Sequence, residues 1–357
     1  MNKKLIAIVA TCTLCLGLFV ACGGQSQSSN SASGASSGQA SASSQSKTKV
    51  VCATFPAYDW TMQVVGDRAN DFEVTYLMGN GVDLHSFQPS VQDIAKISDA
   101  DLFVYVGGES DEWAEDAVKS AANKNLRTVN MFKAVGSAAV EEERVEGMQA
   151  DEHDHADASH SAEADHESTE ARHDGEEGPE YDEHVWLSLR NAQVIVDAIA
   201  NELAAVDSGN AAAYTANAKE YQAKLADLDS RYDDVVKAAS KNTLVFADRF
   251  PFRYLVDDYG LKYYAAFAGC SAETEASFET VAFLSRKVDE LGLGSVLVIE
   301  SSDQKIAQTV VQNTSAKNQR ILVMDSLQST ADADAANGKT YLSAMEDNLN
   351  VLKTALA

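Results

Sequence analysis

Two series of short apolar runs, each alternating with helix-patterned stretches, are separated by some fifty residues of nearly unbroken helical pattern. That order constrains the fold of this chain more than any other feature. The first series holds KVVCATF from Lys49, DFEVTYL (71–77), LFVYV (102–106) and RTVNM (127–131), with VQDIAKISDA and WAEDAVKSAANK as intervening helices. The second holds TLVFA from Thr243, LKYYAAF (261–267), SVLVIE (295–300) and RILVMD (320–325). Its helices are Phe250–Tyr259, SFETVAFLSRKVDEL, QKIAQTVVQNTS (opened by a Ser301–Gln304 capping box) and the closing LSAMEDNLNVLKTAL. Near-continuous apolar strands alternating with helices signal βα units around parallel sheets. Between the series, Leu187 to Ala239 breaks near Asp207–Asn210, and its second part repeats Tyr214, Tyr221, Leu225, Leu228, Tyr232 and Val235. A helix of that length rises about 45 Å and can bridge two lobes. The expected fold is α/β: two βα lobes with parallel-type sheets joined by one long connecting helix. The expected boundaries are an N-terminal lobe over 49–190, a connecting helical region over 191–241 and a C-terminal lobe over 242–357.

The N-terminus reads as an export signal over 1–21. Lys3 and Lys4 precede the apolar run LIAIVATCTLCLGLFVA, which ends at Cys22. Phe19, Val20, Ala21 and Cys22 resemble a bacterial lipobox, so Cys22 is expected to carry lipid, with 22–48 a flexible Ser/Ala/Gly tether. No later stretch is long and apolar enough to span a bilayer. The expectation is an extracytoplasmic protein, lipid-anchored to the cell membrane. Of five cysteines, Cys52 and Cys270 remain for the folded part. They could pair in an oxidising compartment, and the sequence leaves that open.

Six of the seven histidines fall between Ala150 and Trp186. Residues 141–183 contain 18 Asp and Glu against two Arg, within a chain of net charge −26. Such a segment cannot bury enough apolar surface to fold alone and is expected to float as a loop. Clustered imidazole suits zinc and its neighbours, whereas carboxylates alone would favour hard ions. His153, His155, His160, His166 and His173 form an expected auxiliary collecting tract. His184 differs, because it directly precedes Trp186 and a long apolar periodicity, which should hold it in folded structure.

His85, His184 and Asp325 lie in loops or at strand ends, where open α/β sheets place ligands. A tetrahedral zinc site takes four donors. Asp248, at the expected end of a strand, is the first choice for the fourth. Cys270, Glu273, Glu275 and Glu300 are rivals, and a water could also fill the position. A secreted zinc hydrolase is disfavoured, since there is no HExxH, no GxSxG and no nucleophile–base pair. No nucleic-acid partner is expected of so acidic a chain.

The stretches TFPAYDWTMQVVGDR, VDLHSFQPSVQDIAKISDADLFVYVGG, DEHVWLSLRNA and FRYLVDDYGL, with Asp325 in MDS, resemble the zinc- and manganese-binding solute-binding proteins of ABC importers. The resemblance runs from about Lys49 to the C-terminus, apart from the acidic loop. It implies two βα lobes bridged by a long rigid helix, with metal held in the interlobe cleft and delivered to a membrane permease. A monomeric, non-enzymatic binding protein is expected. His85 and His184 match the first two ligands of the family and Asp325 its second-lobe carboxylate. Arg249 stands where the family usually has His or Glu, with Asp248 beside it as the expected substitute. The histidine-rich loop resembles the zinc branch, so the cargo is expected to be Zn²⁺ rather than Mn²⁺. The alternatives are a surface metal-storage or adhesin-like lipoprotein and a manganese importer.

Overall fold

The structure is a computed structural model that describes residues 46–149, 180–271 and 275–357. Cys22, Glu273 and the histidines at 153, 155, 160, 166 and 173 lie outside the described residues. In the first lobe β1 (Thr48–Cys52), β2 (Phe72–Tyr76), β3 (Leu102–Tyr105) and β4 (Arg127–Asn130) pair in parallel in the order β2-β1-β3-β4. In the second, β5 (Thr243–Phe250), β6 (Lys262–Ala268), β7 (Ser295–Ile299) and β8 (Arg320–Met324) repeat that order as β6-β5-β7-β8, again parallel. Each sheet therefore reverses winding beside its first strand, and the loops leaving the strand ends there part to form a crevice.

Helices α1 (Phe55–Val65), α2 (Val91–Ser98), α3 (Trp113–Ser120) and α4 (Met131–Val135) belong to the first lobe. The second has α7 (Arg253–Tyr259), α8 (Phe278–Glu290), α9 (Lys305–Asn313), α10 (Asp332–Ala336) and α11 (Tyr341–Ala355). Between them lie α5 (Leu189–Val206), capped by Ser188, and α6 (Ala211–Ala238). At 28 residues α6 rises about 42 Å. Its buried stripe is Tyr214, Ala218, Tyr221, Leu225, Leu228 and Tyr232, spaced three and four apart. Early on, Asn217 bonds the Val64 carbonyl of α1 at 2.9 Å; later, Tyr232 donates to the Met345 carbonyl of α11 at 2.6 Å. One helix thus grips both lobes. A single apolar cluster runs from Val50 and Phe103 through Leu203 and Leu225 to Phe246 and Leu349, while a smaller one lies between the second sheet and α8 and α9.

Three local expectations are corrected. Strand β5 continues past Ala247 through a bulge between Phe246 and Arg249, so Asp248 sits within the strand rather than at its end. The following helix starts at Arg253 because Pro251 disfavours helical geometry in the residue before it, and Phe250 stays in β5. Helix α9 has no capping box: Gln304 takes a left-handed φ of 64° without a side-chain cap, and Asp303 accepts from the Lys305 N–H instead. The largest departure concerns the acidic segment. Residues 141–149 do not float but lie along the second lobe, with Val145 and Met148 packed on the main apolar cluster. Those two apolar side chains, in an otherwise charged stretch, give it surface to bury.

Candidate metal centre

The loop after β2 carries His85, held in a 3₁₀ turn (Leu84–Ser86) whose N-cap Asp83 accepts the His85 N–H at 3.0 Å. The turn before α5 carries His184, fully buried, with Asp182 accepting both its N–H (2.8 Å) and its Nδ1 proton (2.9 Å). That carboxylate fixes the ring and leaves the Nε2 lone pair free. The His85 Nδ1 meets the Ser110 hydroxyl at 2.7 Å, so its Nε2 also points inward. The two Nε2 atoms are 3.1 Å apart. Donors about 2.0–2.1 Å from one tetrahedral ion would sit roughly 3.3 Å apart, so the pair is spaced to share a metal.

The loop after β6 brings Cys270 to the same place. His85, His184 and Cys270 each offer an atom within 4.8 Å of the other two, the one grouping of this kind among the described residues. Gly269 makes the approach possible: a Cβ there would lie 2.9 Å from the Phe250 carbonyl oxygen and 3.0 Å from the His184 Cε1. Trp186 closes the far side of His184, its ring centroid 5.3 Å away and its Nε1 donating to the Ser326 carbonyl. Cys52, by contrast, is buried in β1 with its sulfur 3.4 Å from the Thr61 hydroxyl, and both cysteines are free thiols.

The carboxylates expected to contribute are placed differently. Asp248 accepts its own chain's Arg249 N–H through Oδ1, while its Oδ2 is buried without a hydrogen-bond partner. It lines a cavity of about 410 Å³ together with His85, Asp83 and Arg249. Arg249 reaches across to Asp83 at 2.8 Å, so it neutralises a carboxylate of the opposite lobe. Asp325 pairs with Lys339 and accepts the Leu327 N–H. Glu300 is engaged by Ser326 and Ser329. The Glu275 carbonyl accepts from Gln149, and its side chain is not among the grouped donors.

Electrostatics separates the two imidazoles. Burial, then the neighbouring His184, pushes the His85 ring down to about 3, so it stays neutral. Burial opposes charge on His184 as well, but Asp182, then Glu183 and Asp83, outweigh it and raise this ring above its ordinary range. Burial, followed by Asp182, Glu183 and Glu142, holds the Cys270 thiol well above its usual value and so protonated when no cation is present. Two imidazoles and a sulfur match a borderline-soft cation rather than a hard one.

A family model described as the periplasmic component A of the zinc-uptake complex, ZnuA, matches residues 50–355. The chain belongs to this family. Its members are binding components of transport systems, not enzymes. The chain is 31% identical over 353 residues to the zinc-binding lipoprotein AdcA of Streptococcus pneumoniae, covering 98% of itself and 60% of that protein. It thus spans less than two thirds of AdcA's length. It is 32% identical over 349 residues to the high-affinity zinc uptake system protein ZnuA of Bacillus subtilis, covering 98% and 96%. The solved Zn(II)-bound ZnuA-like domain of the pneumococcal AdcA superposes with a TM-score of 0.64 at 28% identity, covering 87% of this chain and 99% of that one.

The ZnuA-family chain carries supporting residues that do not stand out in the sequence: Asp83, Ser110, Asp182 and Glu142. Asp182 was visible as a carboxylate two positions before a candidate ligand, the spacing of an orienting partner. Ser110 and Glu142 had no sequence signal, since their partners lie 25 and 128 residues away. Asp182→Asn is expected to weaken zinc binding by about 10- to 100-fold, because an amide can present its NH₂ to the ring and favour the wrong tautomer. A competition titration against a chelating dye measures it.

Proposed function

We propose that this protein captures Zn²⁺ outside the cell membrane, while tethered through a lipidated Cys22, and delivers it to the permease of an ABC importer. The observation that carries the proposal is the facing His85 and His184 Nε2 pair with Cys270 beside it, where loops from both lobes meet. Family membership and the zinc named for its relatives support the same cargo. In this reading His85, His184 and the Cys270 thiolate are three donors and a carboxylate completes the shell. Asp248 needs no existing hydrogen bond of its Oδ2 broken, whereas Asp325 must give up Lys339. The histidines of 150–179 serve as an auxiliary collector.

The test is a zinc titration of a chain lacking residues 150–179. One tight site is expected to remain; loss of all tight binding would overturn the proposal in favour of a storage role for the tract. In the same shortened chain, Asp248→Ala should lose more affinity than Asp325→Ala, and the reverse order would assign the fourth position to Asp325.

A further inference from the structure

We propose that residues 141–149 form a strap from the first lobe that fixes the Cys270 loop of the second, with Glu142 and Gln149 as positioning residues for the thiol. The proposal rests on the reading of Cys270 as a zinc donor. The strap is rooted in a short antiparallel ribbon: Glu141 bridges Tyr181, Glu142 donates its N–H to the Glu180 carbonyl, and Asp182 donates to the Val140 carbonyl. One side of that ribbon runs directly into His184. The other crosses to the second lobe, so a single device touches the supports of two donors.

Its contacts fall on the segment that bears the third. Glu142 Oε1 accepts the Cys270 N–H at 3.1 Å. Gln149 donates its backbone N–H to the Ala266 carbonyl at 2.9 Å, accepts the Ser277 N–H through Oε1 at 2.6 Å, and donates through Nε2 to the Glu275 carbonyl at 3.2 Å. The described residues between β6 and α8 are therefore held at Cys270 and again at Glu275 and Ser277, with a further bond to Ala266 of β6. The fit is close-packed as well as polar. Gly147 has a φ of +88°, and a Cβ there would come within 2.0 Å of the Phe283 ring. A side chain at that position would lift the strap from α8. Tyr263 and Arg253 add contacts to Glu143. Groups that orient a ligand in this way typically change metal affinity by about 10- to 100-fold.

The experiment compares Gln149→Ala, Glu142→Ala and Glu142→Gln in the full chain and in a Cys270→Ala background. It reads zinc affinity by competition and the thiolate-to-cobalt charge-transfer absorption of the Co²⁺-loaded protein. Gln149→Ala and Glu142→Ala are each expected to weaken zinc binding by about tenfold and to dim the cobalt band. Glu142→Gln keeps an acceptor for the Cys270 N–H and should recover most of both. Neither alanine change should add to the loss already caused by Cys270→Ala. Equal losses in the presence and absence of Cys270, or an undimmed band, overturn the strap while leaving the zinc donor in place. An unchanged affinity and band in Cys270→Ala itself would remove the donor, and the strap's role with it.

Discussion

Replacing His184 by alanine in a chain lacking residues 150–179 is expected to weaken zinc binding by on the order of 10²–10³-fold. Apparent binding free energies of about 10–16 kcal/mol for structural zinc, shared over four donors, give about 2.5–4 kcal/mol for each, and every 1.4 kcal/mol is tenfold. His85→Ala should cost a similar amount. The tract must be absent, since its histidines would otherwise mask the loss. Asp182 keeps the residue-184 backbone N–H as a partner in the alanine variant, which limits damage to the fold. Competition with a chelator of known affinity checks the value; near-native affinity in either variant would remove the facing pair from the site.

The second large effect is on protons. Because the Cys270 thiol is held well above its ordinary range, zinc must displace its proton throughout the neutral region. His184 is raised above its ordinary value, so below its folded pKa a second proton has to leave. Zinc binds the deprotonated forms, hence affinity falls as pH falls. It should drop about tenfold per pH unit above the folded pKa of His184, and about a hundredfold per unit below it, where that ring is charged. His85, already neutral, adds no slope in this range. Cys270→Ala should cost about 10²–10³-fold in affinity and also remove one power of ten from the slope wherever the thiol is protonated in the free protein. Calorimetry in buffers of different ionisation enthalpy reads the proton count directly. A wild-type slope equal to that of Cys270→Ala would show that the thiol does not ligate.

Much of the architecture was legible because strands buried on both faces are apolar without interruption. LFVYV and SVLVIE could hardly be anything else, and each helix between them shows its own period. His85 and His184 stood out because six of the seven histidines gather in one tract and the seventh lies at a strand end. The rest depended on distant partners. Cys270 could be named as a rival but not preferred, since its nearness to His184 requires the Gly269 contact and the β5–β6 register. Asp248 was misplaced within its strand because a bulge shifts the register without any residue that demands it. The acidic stretch seemed unable to pack when judged by average charge. Val145, Gly147 and Met148 are too few to alter that average, yet they suffice to seat it against Phe283 and the main cluster.

The apolar interior that passes without a gap from one sheet to the other through α5, α6 and α11 limits how this molecule could respond to a bound metal. Swinging the halves apart like a clam would expose that shared interior to water, at about 25 cal/mol for every Å² uncovered. Loading and unloading should instead be matters of the rim: a few loops shifting by side-chain lengths while overall dimensions stay constant. A receptor distinguishing full from empty would then have to sense the texture of that rim, since the silhouette would hardly change.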